Sequence, residues 1–124
     1  MCTYEIAILE DDDILSKVMT EVLRQMLGDS LTVCAFPSVY AFEHSTCVPD
    51  SILLDLNLID SVGMDTVRRV QMFCKAPIVV LTGHSEYLRH LKELGIPAYE
   101  KPNGYAAAAA IAEAIRYKHY QETG

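Results

Sequence analysis

The sequence has no run approaching the roughly 18 consecutive apolar residues that a membrane-crossing helix requires. Its first nine residues carry Glu5 and no basic segment ahead of an apolar stretch, so no secretory leader is visible. Both absences predict a soluble cytoplasmic protein without a membrane partner. Basic residues are scarce: 10 Lys and Arg stand against 17 Asp and Glu, a formal net charge of -7. That balance argues against direct nucleic-acid binding, which depends on neutralising phosphates. The four cysteines, Cys2, Cys34, Cys47 and Cys74, form no CxxC pair and read as ordinary reduced thiols rather than a metal or redox set. No internal linker or repeat breaks the chain, and the one low-complexity segment is the alanine run at 106–110. At 124 residues the chain has the length of a single domain with a real core.

What is present alternates. IAIL at 6–9 is a short apolar strand closed by the acidic run EDDD at 10–13. Ile14, Val18, Val22 and Met26, with Leu15, Met19, Leu23 and Leu27, then mark a helix with a wide apolar stripe ended by Gly28. LTVCAF at 31–36 reads as a second strand, and Pro37-Ser38 opens a short helix around Val39 to His44. SILLDLNL at 51–58 reads as a central strand interrupted by Asp55. After Gly63 comes a helix with Val67 and Val70 inward and Arg68, Arg69 and Gln71 outward. IVVL at 78–81 is the most strand-like run. A helix from about Ser85 to Leu94 follows, with Leu88, Leu91 and Leu94 on it and Gly95 as its cap. A last strand at Ala98 to Glu100 leads into Lys101-Pro102 and a closing helix from about Tyr105 to Tyr117. Residues 118–124 read as a frayed end or the start of a connection to an output domain.

Five strand–helix alternations with apolar middle strands predict an α/β fold, a doubly wound five-stranded parallel sheet flanked by helices. In such folds ligands bind outside the carboxyl ends of the strands. Glu10 and Asp11 follow the first strand, Asp55 ends the third, Thr82 the fourth, and Lys101 follows the fifth. Three converging carboxylates repel one another, so one is protonated or a divalent cation sits among them. Oxygen ligands with no Cys or His cluster nearby favour Mg²⁺, with Mn²⁺ acceptable. Lys101 can neutralise a phosphoryl oxygen, the Thr82 hydroxyl can donate to another, and Gly83 leaves room beside them. A carboxylate can be the nucleophile in phosphoryl transfer, which makes Asp55 the candidate acceptor.

With these motifs the chain resembles the receiver domain of two-component response regulators, over nearly its whole length. The matching residues are Glu10 and Asp11 in ILEDDD, Asp55 in LLDLNL, Gly63 after the third-strand loop, Thr82 in VLTGH, and Lys101 with the cis-prone Pro102 in YEKP. The resemblance implies a flavodoxin-like receiver fold over residues 1–124. It implies phosphotransfer to Asp55 from a phosphohistidine on a sensor histidine kinase or histidine phosphotransfer protein, with Mg²⁺ assistance. Slow self-dephosphorylation and a surface change on phosphorylation complete a signalling domain rather than a turnover enzyme. It further implies that Asp11 and Asp55 contact the metal, that Asn57 offers its backbone carbonyl, and that Glu10 acts through water. An effector domain, a docking partner or a dimer would carry the output.

Two departures stand out. The family commonly has an aromatic residue three before the lysine; here that position is Ala98, and Tyr99 lies on the opposite strand face if the register holds. The proline usual four after the acceptor is Ile59, followed by Asp60. Two rival readings are a receiver-like interaction module that works without phosphorylation and a small metal-dependent phosphatase with an aspartate nucleophile. Asp12 and Asp13 read as residues of the helix N-terminus, and His84 as a loop residue at the rim.

Overall fold

The computed structural model describes residues 4–123, with the backbone alone for 118–120, 122 and 123. Cys2 and the side chain of His119 therefore lie outside it. Five strands form one parallel sheet: β1 (Tyr4–Leu9), β2 (Leu31–Phe36), β3 (Ser51–Leu54), β4 (Ile78–Thr82) and β5 (Ala98–Glu100). Their spatial order is β2-β1-β3-β4-β5. The predicted doubly wound sheet is thus the observed one, and the strand order reverses between β1 and β3. The helices are α1 (Asp13–Leu27), α2 (Val39–Glu43), α3 (Met64–Phe73), α4 (Leu88–Glu93) and α5 (Gly104–Thr123).

The apolar strand runs are explained by burial on both sides. Ala7, Leu9, Ile52, Leu54 and Val80 pack with Phe42, Val67, Val70 and Leu91 of α2, α3 and α4. The alternate residues Ile6, Ile8, Leu53, Val79 and Leu81 pack with Met19 and Leu23 of α1 and with Ala107, Ala108, Ile111 and Ile115 of α5. Alternation along a strand sends neighbouring residues to opposite layers, so a sheet covered twice needs every central position apolar. The start of α5 packs closely on α1; a Cβ on Gly104 would sit only 2.9 Å from Met19 Sδ.

Local chemistry sets the element ends. Asp12 caps α1, its carboxylate accepting from the Ile14 and Leu15 amides at 3.0 and 3.2 Å, as the acidic run predicts. The short α2 is held at its start by three side-chain oxygens. Ser38 Oγ accepts from the Ala41 amide, and Asp60, one residue after the Ile59 that stands at the family's usual proline position, accepts from the Val39 and Tyr40 amides. α4 ends with Gly95 at φ 77°, where the Ile96 amide donates to Leu91 O and the Gly95 amide to Lys92 O. These two bonds are the Schellman arrangement that a glycine permits.

Several expectations need correction. β3 stops at Leu54, and Leu56 and Leu58 are buried in the α3-side core from the following loop, not as a continuation of β3. That loop holds a two-residue ladder, Asn57–Leu58 against Ser61–Val62, too short for periodicity to announce. α5 stays helical to Thr123, six residues past the predicted end at Tyr117. Leu94 is 55% exposed, because Gly95 turns the chain before it can join the core. Ile14 and Val18 are likewise exposed, so the core takes Leu15, Met19 and Leu23 of the α1 stripe with Val22 and Met26 but leaves out that pair. Arg69 is not on a purely solvated face: it pairs with Glu43 at 2.6 Å and with Asp60 at 3.6 Å, tying α3 to α2 and the loop. The Lys101-Pro102 peptide is not cis.

Candidate metal centre at the carboxyl edge of the sheet

The end of β1 and the end of β3 are adjacent in the sheet, with Leu9 opposite Leu54. The next residues along each strand, Glu10 and Asp55, therefore emerge side by side at the point where the strand order reverses. The ladder continues one step past the strands. The Asp55 amide donates to Leu9 O at 2.9 Å and the Glu10 amide to Phe36 O at 3.0 Å, fixing both backbones. Glu10 is 7% exposed and Asp55 2%, whereas Asp11 is exposed. Glu10, Asp11 and Asp55 each bring a carboxylate oxygen within 4.8 Å of the others. This is the cluster read from the sequence.

Lys101 enters from the far edge. The turn after β5 sends its Nζ to within 3.1 Å of Glu10 Oε1 and 3.2 Å of Asp55 Oδ2. The contact with Glu10 is a hydrogen bond, but that with Asp55 is an ion pair without hydrogen-bonding alignment, and Asp55 Oδ2 has no other partner. Asp55 Oδ1 accepts from the Asn57 amide at 3.2 Å, which folds the loop back over the strand end. Glu10 Oε1 also accepts from the Asp12 amide.

The charges are unbalanced: one ammonium faces two nearly buried carboxylates and a third at the rim. Burial first, and then the neighbouring Asp55 carboxylate, push Glu10 up to about 7, with Lys101 opposing them. For Lys101, burial works to lower the ammonium's pKa, but the Glu10 and Asp55 carboxylates outweigh it and the net shift is upward. A cluster that must share a proton near neutrality fits a hard divalent cation. The donor set is all oxygen, and Asp55 Oδ2 is a buried oxygen with free hydrogen-bonding capacity.

Thr82 ends β4 fully buried, with its Oγ1 accepting from the His84 amide at 3.0 Å. Gly83 borders Lys101, and a Cβ there would lie 3.8 Å from Lys101 Cδ, an ordinary contact. His84 pairs with Glu86 at 3.3 Å and sets its ring edge-on to Tyr87. Asn57 is exposed and reaches the cluster through its amide; its side chain makes no hydrogen bond among the described residues. The register of β5 is unambiguous: Ala98 joins the α4-side core with Tyr87 and Leu88, while Tyr99 packs on the α1/α5 side. The expectation that Tyr99 faces away from the usual aromatic position is thus met.

One arrangement escaped sequence reasoning. Tyr87 packs over Gly63, whose φ of 70° and missing side chain admit the phenol; a Cβ would meet Tyr87 Oη at 2.9 Å. It joins the loop after Asp55 to the segment after Thr82, and nothing in the spacing of Gly63 and Tyr87 foretells it.

No family model matches the sequence. Known proteins do. The KDP operon transcriptional regulatory protein KdpE of Escherichia coli K12 is 29% identical over 83 residues, covering 65% of this chain and 36% of that protein. The response regulator DrrB of Thermotoga maritima superposes with a TM-score of 0.78 at 24% identity, covering 94% of this chain and 54% of that one. A CheY-like receiver domain from Methylobacillus flagellatus gives 0.71 at 24% identity over 92% and 99%. The chain has the fold of a response-regulator receiver domain. The resemblance drawn from its motifs and the relatives found by comparison agree. This receiver fold spans about a third of the length of KdpE, and it has no helix among its described residues long and apolar enough to cross a membrane.

Proposed function

We propose that this receiver accepts a phosphoryl group on Asp55 from a phosphohistidine of a sensor kinase or phosphotransfer protein, and signals through the surface change that follows. The observation that carries this reading is the meeting of Glu10, Asp11, Asp55 and Lys101 at the sheet edge, with Asp55 Oδ2 buried and without a hydrogen bond. Asp55 is the nucleophile: its oxygen bonds to phosphorus as the phosphorus–nitrogen bond breaks, and the leaving imidazole takes up a proton. Lys101 neutralises charge on the phosphoryl oxygens, and Thr82, released from the His84 amide, turns its hydroxyl toward them. Glu10, Asp11, Asp55 and the Asn57 carbonyl are the residues that would hold Mg²⁺, or Mn²⁺ in its place. When bound, the ion supplies positive charge to this carboxylate cluster and to the phosphoryl oxygens. Water later cleaves the acyl phosphate, so the domain is a slow self-dephosphorylating signal carrier in the cytoplasm rather than a turnover enzyme.

Intact mass after incubation with a small acyl phosphate and Mg²⁺ tests this. One phosphoryl adduct, absent without metal and in Asp55→Asn, is expected. Absence of the adduct with both small and phosphohistidine protein donors would refute it. The placement of Tyr99 on the α1/α5 side, with Ala98 in the α4-side core, favours the second reading, an interaction module that works without phosphorylation. Under that reading a partner would bind wild type and Asp55→Asn equally, whatever the phosphodonor.

A further inference from the structure

We infer that Glu5, Cys34 and Cys47 form a second cation site, for Zn²⁺, on the opposite end of the sheet from Asp55. The three residues come from three separate segments: the start of β1, the middle of the edge strand β2, and the loop between α2 and β3. β1 and β2 run in register with Ala7 opposite Cys34 and Glu5 opposite Thr32, so Glu5 and Cys34 are diagonal neighbours on one face. That face is the α2 side, where Cys47 packs against the core. One oxygen of Glu5 and the two sulfurs lie within 4.8 Å of one another, and all three residues are half-buried.

The local chemistry is unusual for a sheet edge. The Cys34 thiol donates to Glu5 Oε1 at 3.3 Å. Among the described residues no Lys, Arg or His forms an ion pair with this carboxylate. Residues 7 and 9, which continue its face of β1, are alanine and leucine in the core. A carboxylate turned to the same side as a core, with two thiols as its neighbours, is a donor set in want of a cation. Two soft sulfurs select Zn²⁺ over Mg²⁺, and three protein ligands leave a fourth tetrahedral position to water. Binding is a ligand exchange without redox change: Zn²⁺ takes two thiolates and the carboxylate, and the two thiol protons leave to solvent. The sheet already holds two of the three ligands, so only the loop carrying Cys47 needs to adjust. Roughly 16 Å of strand separates Glu5 from Glu10, which keeps this site independent of the acidic one.

The expectation that these cysteines are ordinary thiols rests on their spacing in the sequence, and the fold brings two of them together from 13 residues apart.

Co²⁺ is the probe of choice, because thiolate ligation gives near-ultraviolet charge-transfer absorption and tetrahedral geometry gives visible bands. Reduced protein is titrated with Co²⁺ in excess Mg²⁺, which favours the oxygen ligands of the acidic cluster. One equivalent of thiolate-ligated Co²⁺, displaced by Zn²⁺, is expected. Cys34→Ser and Cys47→Ser should each abolish the charge-transfer band, and Glu5→Gln should weaken binding by about 10-fold or more. Cys74→Ser and Asp55→Asn should leave the band unchanged, the latter separating this site from the phosphorylation reading. Circular dichroism checks that each variant folds. No thiolate band in the reduced wild type, or a band that survives both cysteine substitutions, overturns the proposal. So does a 2 Da mass loss with peroxide in a protein that takes up no Co²⁺ once reduced, which would make the pair a disulfide instead.

Discussion

Lys101 Nζ lies 3.2 Å from Asp55 Oδ2, an oxygen that has no hydrogen-bond partner, and it is the one ammonium paired with this cluster among the described residues. Removing it leaves Glu10 and Asp55 nearly buried with no counter-charge. Lys101→Ala should lower stability at neutral pH by about 1–3 kcal/mol, less than for a fully buried pair because a third of the lysine side chain is exposed. Urea unfolding measures this. Adding Mg²⁺ should restore part of the loss, because a cation at the carboxylates replaces the missing charge. Under the proposed function the variant still binds metal and is still phosphorylated, but its conformational response to the phosphoryl group is impaired. A normal response would exclude that role for Lys101.

Glu10 gives a pH dependence with a definite sign. Its carboxyl is pushed up to about 7, above the ordinary 4.5, so between these values the folded protein holds a proton that the unfolded chain has released. Stability from this group is complete below about pH 4.5 and is lost as pH rises through 7. The slope should be worth roughly 1–3 kcal/mol across that window. Chemical denaturation at pH 5, 6, 7 and 8 without metal should show a fall in wild type that is reduced in Glu10→Gln. Mg²⁺ competes with the same proton, so its affinity should rise over pH 6–8 in wild type and rise less in the variant.

The Asp55 carboxylate is nearly buried and its Oδ2 makes no hydrogen bond, and Asn fills nearly the same volume without charge. Asp55→Asn should therefore raise metal-free stability by about 1 kcal/mol while weakening Mg²⁺ binding by an order of magnitude or more. Thermal melts with and without Mg²⁺ read both effects. A variant less stable than wild type in the absence of metal would mean that the Lys101 attraction outweighs the burial of charge.

The acidic site was legible because its residues stand where apolar runs stop. Glu10 follows IAIL and Asp55 follows SILL, and a parallel sheet places all such ends on one edge. Burial was less legible. Ile14 and Val18 share the α1 periodicity with Met19 and Leu23, yet only the latter pair is covered, because a period identifies a stripe and not its width. Leu94 fits the α4 spacing, but Gly95 reverses the chain beside it. Arg69 looked solvated from its own helix; its partners Glu43 and Asp60 lie on other elements. Cys47 sits in an aperiodic loop, where no spacing predicts a neighbour across the sheet edge.

The contact between Gly63 and Tyr87 separates two costs that one substitution combines. At φ 70° any side chain is strained, and a Cβ would also press on the phenol, 2.9 Å from Oη and 3.3 Å from Cζ. Gly63→Ala should destabilise the fold by about 1–3 kcal/mol. Tyr87→Phe removes the nearest atom but leaves the backbone conformation as it is. In the double variant the cost of Gly63→Ala should therefore shrink by about 0.5–1 kcal/mol without vanishing, a coupling that a double-mutant cycle in urea resolves. If the two changes were simply additive, the strain would lie wholly in the backbone, and Tyr87 would be free to move away from the loop that carries Gly63. If the cost disappeared, the positive φ would contribute nothing, and the absence of a side chain at residue 63 would be a matter of space alone.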